Sequence, residues 1–476
     1  PAEGGWATYQ TYGENVSIFK ACDIRGVYPD ELDETAAERI GRALGSEVRR
    51  HAGGAAECVL AGDVRTSTPA LKSALCRGLV EAGVRVCDVG IVPTPVAYWA
   101  RRRRGAEAVA IVTASHNPPS YNGVKFMIGE LPVTEADVDR VRRLVAEDAH
   151  VTASGGGLEQ WEPGADYVQW LGRRFAGTGA GRKVVVDAGN GAFWRLAPEA
   201  MRAAGYEVAE LFCTPDGQFP NRSPDPGAPG ALEEASKLVQ QTGADMAACF
   251  DGDGDRVAFL DEHGEAVPAE EALILLARDA LTCAEEADAQ KRVPPAAPAA
   301  VVYDQKCTRT VRREVARASG RPVAERSGHT FVKRRLIEEG ALLGGEASGH
   351  FFFRELAGDD GLYAALRLGE ALRAAGQSLA ELRGTIPPYF ISEDIRIPRP
   401  AGDAEGVVRA LRERFAGRPQ DHPEGVLVEF DGGWPLCRAS VTEPAVTVRV
   451  EGDTRQRMEQ IRAQVLAAIK AAQPAP

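Results

Sequence analysis

Short apolar runs, each closed by a polar turn, recur along the chain and read as buried strands that deliver their last residues into loops. Three of them open related units: Glu57-Cys-Val-Leu-Ala-Gly-Asp63, Lys183-Val-Val-Val-Asp187 and Ala300-Val-Val-Tyr-Asp304. Each ends in Asp and is followed by a helical pattern, a glycine and a further strand-like piece. The glycines, Gly83, Gly205 and Gly320, stand 20, 18 and 16 residues after the aspartates. Strand, helix, glycine and strand make a βαβ unit with Gly at the helix C′ position, where positive φ is cheap. Three such units predict three related α/β domains with mixed, mostly parallel sheets covered by helices.

Each unit then supplies a second strand-to-loop junction. Ala108–Val112 runs into Thr113-Ala-Ser115-His116-Asn-Pro118, Met246–Phe250 into Asp251-Gly-Asp253-Gly-Asp255-Arg256, and Leu342-Leu343 into Gly344-Gly-Glu346-Ala-Ser348-Gly-His350. Loops at equivalent topological places are expected to converge on one central cleft, outside the carboxyl ends of the strands. The Gly-rich stretch 154–157 and a turn at 261–265 are expected to separate the domains, and the Pro- and Ala-rich 290–299 to form a surface loop. After 384–388 the pattern changes to a smaller α+β module, closed by a helix with Met458, Ile461, Val465 and Ile469 on one face. The expected domains are 1–158, 159–262, 263–384 and 385–476.

A length of 476 residues suits three or four domains, and 44% hydrophobic with 26% charged residues suits a globular chain. A net charge of −12 argues against nucleic-acid and anionic-membrane partners, so an anionic ligand must be caught by local Arg and Lys. Nine cysteines without a Cys-x-x-Cys pair fit reduced thiols in the cytoplasm. No leader pattern and no apolar run of membrane-spanning length is read. Arg101 to Arg104 reads as a charged helix end. A monomer is expected, because no segment looks built for assembly.

Ser115 lies just outside a strand end, on a turn stiffened by Pro118 and Pro119. Alone, it would read as a cap. The other loops change that. Asp251, Asp253 and Asp255 crowd three carboxylates into five residues, and two unit charges 4 Å apart repel by about 4 kcal/mol at an effective dielectric of 20. A hard divalent cation, Mg²⁺ or Ca²⁺, is the natural partner, and Gly252 and Gly254 allow a fold that turns alternate carboxylates to one point. An EF-hand loop would need Gly where Arg256 stands and a helix–loop–helix setting. A metal held this way leaves positions for a phosphate oxygen.

Thr113 to Pro118, Asp251 to Arg256, Gly345 to His350 and Arg438-Ala-Ser-Val-Thr-Glu-Pro444 occur in that order. Together they resemble the α-D-phosphohexomutase family, most closely its bifunctional phosphomannomutase/phosphoglucomutase branch, over essentially the whole chain. The resemblance implies a phosphohexomutase that interconverts the 1-phospho and 6-phospho forms of glucose and mannose. Ser115 would be the phosphoserine, passing its phosphoryl group to the sugar and recovering the other one from a hexose 1,6-bisphosphate. Asp251, Asp253 and Asp255, with the Ser115 phosphate, would hold Mg²⁺. Glu346, Ser348 and His350 would bind sugar hydroxyls. Arg438, Ser440, Thr442 and Lys306 would dock the phosphate not being transferred.

The same resemblance makes Lys125, Arg25, Arg256 and His329 the acid–base and electrostatic group around Ser115. His116 reads as structural support, since adjacent loop residues rarely face each other. Two positions depart from the family pattern: Val441 stands where Asn is frequent, and Cys22 where Tyr is frequent. The rival readings are a phosphoglucosamine mutase and a sugar-phosphate-binding protein without catalysis, which would not need a donor serine.

Overall fold

The computed structural model describes residues 18–291, 297–398, 403–421, 425–440 and 445–472. Among these, three α/β domains repeat one sheet plan and a fourth, α+β domain follows. In the first, Ala56–Gly62 lies between the parallel strands Val84–Ile91 and Ala108–Val112, and Tyr121–Ile128 then runs antiparallel to the latter. Lys183–Asp187, Glu207–Leu211, Met246–Phe250 and Val257–Asp261 repeat that arrangement in the second domain. Ala300–Asp304, Arg321–Glu325, Leu343–Gly345 and Phe351–Phe353 repeat it in the third. The loop between the third and fourth strands of each plan is therefore the same loop three times, and it holds Ser115, the Asp triplet and Glu346 to His350 respectively.

The fourth domain is an antiparallel sheet ordered Phe390–Ile391, Ala445–Gly452, Gly433–Ala439, Val426–Val428 and Gln420–Asp421. Helices Asp403–Arg414 and Arg455–Ala471 cover it, and Met458, Ile461, Val465 and Ile469 are all buried on the predicted face. Its apolar core is its own. The first three domains, beside smaller clusters of their own, also share one core, which takes in Ile111 from the first sheet, Phe250 from the second and Phe351 from the third. An aromatic group of Trp99, Tyr167, Trp170 and Tyr363 ties them further, with Trp99 edge-on to Tyr167 at 5.7 Å and Trp170 stacked on Tyr363 at 5.9 Å.

Several local expectations change. Gly83 and Gly205 have positive φ after their helices, but in the third unit Ser319 takes the left-handed conformation, φ 58°, and Gly320 does not. A Cβ on Gly320 would come 2.7 Å from Leu281, so close packing rather than backbone conformation calls for glycine there. The turn at 261–265 joins Val257–Asp261 to Ala266–Val267 within the second sheet. The stretch 154–157 leads into Gly157–Gln160, an edge strand parallel to Val84–Ile91 in the first sheet. Residues 290–299 fall partly on helix Ala269–Lys291 and otherwise largely outside the described residues. Arg101 to Arg104 do end a helix, Thr94–Arg104.

Helices Glu34–Ala52 and Thr68–Glu81 pack so closely that a Cβ on Gly78 would lie 2.1 Å from the Glu38 carbonyl oxygen. Alanine normally favours a helix over glycine by about 0.5–1 kcal/mol, but backbone cannot yield as a side chain can. Gly78→Ala is expected to lower the urea midpoint, by about 1–3 kcal/mol of stability. Gly406→Ala, in a helix where a Cβ would meet only the Asp403 carboxylate at 3.8 Å, is expected to raise it.

Asp360 caps helix Gly361–Ala375 and accepts a 2.5 Å bond from the Tyr167 hydroxyl. Burial pushes its carboxyl up from 3.8 to about 7. The folded state therefore binds the proton more tightly than the unfolded state, so this contribution to stability is full below pH 4 and is lost as pH rises towards 7. Denaturant titrations should find the parent losing stability relative to Asp360→Asn over that window, with no further loss above it.

Candidate active site

Each of the three strand-ending aspartates makes the same local turn. Asp63 accepts from the Arg65 amide at 3.0 Å, Asp187 from Gly189 at 2.8 Å and Asp304 from Lys306 at 3.0 Å. In the first domain this sets a buried guanidinium under the serine loop. Arg65 pairs with Asp63 at 3.0 Å and donates to the carbonyls of Ser115, Asn117, Pro118 and Tyr121 at 2.6–2.9 Å. Four carbonyls gathered on one planar donor hold the loop rigidly. Ser115 itself adopts φ 51°, and its amide is held by the Thr113 hydroxyl at 2.8 Å. A positive φ for a non-glycine residue is strained and persists only where surroundings enforce it.

The second domain repeats the device. Arg222 pairs with Asp187 at 2.7 Å and donates to the Phe250 carbonyl at 2.7 Å, bracing the strand end just before Asp251. The two loops meet closely, since a Cβ on Gly252 would stand 2.6 Å from the Ser115 carbonyl oxygen. Gly254 has φ 79°, with Phe193 filling the place of a Cβ.

Across this junction the Ser115 hydroxyl donates to Asp251 at 2.9 Å. Asp251, Asp253 and Asp255 are almost wholly buried, at 0, 0 and 1% exposure. Lys125 donates to Asp253 at 2.8 Å and to Asp255 at 2.5 Å, and Thr94 donates to Asp253 at 2.7 Å. Burial opposes the charge of every group here. It pushes Asp251 well up, reinforced by Asp253 and Asp255. Lys125 nevertheless holds Asp253 down, and Lys125 with His350 holds Asp255 well below the usual range. Lys125 is driven up in turn by Asp253 and Asp255, against its burial. Oδ1 of Asp253 and Oδ1 of Asp255 are buried without a hydrogen-bond partner, and one oxygen from each Asp lies within 4.8 Å of the others. Three hard oxygen donors, of which Asp253 Oδ1 has no other partner and Asp255 Oδ1 meets the His350 imidazole, fit a divalent cation of the Mg²⁺ type.

The third loop closes on the same cluster. His350 lies 3.2 Å from Asp255 and 2.9 Å from Glu346, and Ser348 donates to Glu346 at 3.1 Å. Burial opposes the imidazolium, but Asp255 and Glu346 push His350 up to about 9, and Glu346 is held at about 2 by His350. The Gly328 amide donates to Glu346 at 2.7 Å, and the neighbouring His329 ring stacks on His350 at 5.6 Å. Burial, with the charges of Lys125 and His350, pushes His329 down to about 3. Arg256 follows the triplet and bridges to His350 along the backbone.

Ser115, Lys125, the three aspartates, Arg256, Glu346, Ser348, His350 and His329 thus form one connected group. Arg25 pairs with Asp23 at 2.5 Å, and its charge reaches His116. Lys306 stands apart from the triplet, paired with Asp394 of the fourth domain at 2.9 Å. Arg438 lies on the strand Gly433–Ala439, and the Ser440 amide bonds the Ala445 carbonyl at 2.8 Å. Thr442 and Val441 lie outside the described residues. Cys22 accepts a 3.0 Å bond from the Thr330 hydroxyl, beside His329.

His116 corrects an expectation: its Nδ1 lies 3.4 Å from the Ser115 hydroxyl. The left-handed kink at Ser115 turns the two neighbours to one side. Arg256 above all, then burial and Arg25, pushes its imidazole down to about 2, so it is neutral. Sequence reasoning missed Arg65, Arg222, Thr94 and Thr113. The repeated terminal Asp was a signal for the braces, because a buried Asp needs a partner and Arg65 is only two residues away.

A rigid, buried hydroxyl set against three buried carboxylates, with a second polar loop closing on the same cluster, is an arrangement of phosphoryl-transfer enzymes within an α/β architecture. Four profiles match the chain in order: phosphoglucomutase/phosphomannomutase alpha/beta/alpha domain I over 16–151, domain II over 165–264, domain III over 272–389, and the C-terminal domain over 395–468. The chain belongs to the phosphoglucomutase/phosphomannomutase family. It is 36% identical over 451 residues to a phosphomannomutase/phosphoglucomutase of Pseudomonas aeruginosa, covering 94% of each chain. It is 34% identical over 461 residues to a phosphoglucomutase of Neisseria gonorrhoeae, covering 95% of this chain and 96% of that one. A crystal structure of a phosphoglucomutase/phosphomannomutase family protein from Burkholderia thailandensis matches with TM-score 0.87 and 36% identity, over 96% of this chain and 98% of that one. At 16% identity, an Aspergillus fumigatus N-acetylphosphoglucosamine mutase variant in complex with glucose 1,6-bisphosphate shares the fold, with TM-score 0.59 over 98% of each chain.

Removing Arg65 would leave Asp63 as a buried carboxylate without its cation. Arg65→Met is expected to lower unfolding free energy by about 3–5 kcal/mol, measured by urea denaturation. A loss under 1 kcal/mol would mean that the loop is not held by this pair.

Proposed function

We propose that the protein interconverts hexose 1-phosphates and hexose 6-phosphates of glucose and mannose, with Ser115 carrying the phosphoryl group and a hexose 1,6-bisphosphate as intermediate. The observation that carries this reading is the Ser115 hydroxyl donating to Asp251 inside a buried three-carboxylate site. In the forward step the bond between phosphorus and Ser115 Oγ breaks while a sugar hydroxyl oxygen bonds to phosphorus. The sugar hydroxyl's proton passes to His329, whose neutral imidazole at about 3 is an acceptor, while Lys125 gives a proton to the departing Ser115 Oγ. Phosphate groups arriving nearby raise its basicity, since an adjacent anion favours imidazolium. The bisphosphate then turns, and the same atoms run in reverse with its other phosphate.

Lys125 stays an ammonium here, so it suits charge stabilisation and proton donation rather than proton removal. Arg25 and Arg256 add positive charge where the transferring group sits. Asp251, Asp253 and Asp255 would hold Mg²⁺ together with the Ser115 phosphate, and the ion would offset the −1.5 to −2 charge, approximately, of a phosphoserine. Glu346, Ser348 and His350 orient the sugar hydroxyls. Lys306, Arg438, Ser440 and Thr442 dock the phosphate that is not transferred, Arg438 by its planar fork. We assign the enzyme to the cytoplasm as a monomer. Its nine cysteines are unbridged, and no described helix is long and apolar enough to cross a membrane.

Assays with Mg²⁺ and a trace of glucose 1,6-bisphosphate on glucose, mannose and glucosamine 1-phosphates test the activity and its sugar range. Ser115→Ala should lose at least about a thousandfold in kcat, and incubation with the bisphosphate should add one phosphate mass to the parent only. Chelation should abolish turnover and Mg²⁺ restore it. Undiminished turnover in Ser115→Ala would sink the mechanism.

A further inference from the structure

The fourth domain has a core of its own, and its join to the third is a set of polar contacts. Arg309 pairs with Glu429, Arg449 with Glu270 at 2.7 Å, and Lys306 with Asp394 at 2.9 Å. Only the last of these uses a residue of the phosphate dock. Asp394 lies between Phe390–Ile391 and Ile395–Pro398, both paired to Ala445–Gly452, so it travels with the fourth domain. Lys306 has its backbone pinned by Asp304, which leaves its side chain as the part free to exchange partners. Asp394 meets the Lys306 ammonium directly. Burial works against its charge, yet Lys306, then Arg449 and Arg438, hold the carboxyl below its ordinary range.

We propose that Asp394 is a resident stand-in for the substrate phosphate, its carboxylate holding the Lys306 ammonium at the joint between the third and fourth domains until a docking phosphate displaces it. The inference rests on the phosphate dock assigned above. A carboxylate and a phosphate both seek Lys306 and Arg438, and holding both anions together costs more than exchanging one for the other. Apparent affinity is then the intrinsic affinity reduced by the fraction of molecules whose Lys306 is released. The reaction gives such a competitor a use. The bisphosphate has to leave the dock and return with its other phosphate, and a carboxylate that takes Lys306 back makes that release easier. Asp394 and Lys306 are 29% and 17% exposed, so the competition is worth a modest factor, about two- to fivefold in binding.

The test is calorimetric titration of inorganic phosphate and glucose 6-phosphate into the full chain and three variants, with steady-state turnover alongside. Asp394→Asn should bind both ligands about two- to fivefold more tightly, with a lower KM and a kcat that does not rise. Glu429→Gln breaks a different contact between the same domains and should bind as the parent does. Equal or weaker binding by Asp394→Asn would overturn the proposal, because the carboxylate would then be orienting Lys306. Equal tightening by Glu429→Gln would also overturn it, pointing to a looser domain joint. Lys306→Ala separates the two readings. If it leaves binding unchanged, the dock itself is misassigned and the proposal falls with it. If it weakens binding while Asp394→Asn does not tighten it, the proposal alone fails.

Discussion

Three carboxylates buried at the meeting of three domains are the constraint on which the rest depends. Asp251, Asp253 and Asp255 come from one short loop, yet what offsets them comes from elsewhere: Lys125 and Thr94 from the first domain and His350 from the third. No single domain could keep such a cluster out of water, because an isolated buried carboxylate would neutralise or draw solvent in. The cluster therefore requires the first three domains to be assembled, and their shared apolar core keeps them so. The serine hydroxyl is delivered into this assembled electrostatic site, where burial strengthens every charge interaction it makes.

The fourth domain answers a different demand. In the proposed cycle the intermediate turns around, which a site closed rigidly on all sides would forbid. An independent apolar core joined through ion pairs is an arrangement that can shift as a unit, because exposed ion pairs break and re-form at modest cost. The chain thus joins its domains by two kinds of interface, one apolar and continuous, the other polar.

Much of this was legible in the chain because the pattern is periodic. Ala108–Val112, Lys183–Asp187, Met246–Phe250 and Ala300–Asp304 occur as strands with the boundaries read from their apolar runs. Two of the four motifs, Thr113 to Pro118 and Asp251 to Arg256, sit on loops that Ala108–Val112 and Met246–Phe250 feed. What escaped was everything decided by contacts distant in sequence. Nothing local says that Arg222 reaches the Phe250 carbonyl, or that Thr94 faces Asp253. That His116 turns toward Ser115 escaped because its side follows from the φ of Ser115, which a surrounding fold imposes and a non-glycine residue does not advertise. The Asp261–Glu265 turn looked like a domain joint because a hairpin turn and a linker share the same residue types.

The threefold repeat carries one more lesson in how a site is built. Asp63, Asp187 and Asp304 make the same turn at the same strand end, but their cationic partners differ. In the first two domains the partner is a buried Arg whose planar donors gather main-chain carbonyls, which fixes a loop and leaves the charge unavailable to a ligand. In the third the residue two positions on is Lys306, whose amide completes the turn while its ammonium reaches outward to Asp394. A guanidinium suits fixed planar contacts and an ammonium on a flexible stem suits exchange. The same local device thus serves as a brace where the loop must stay still and as a movable contact where the third domain faces the fourth.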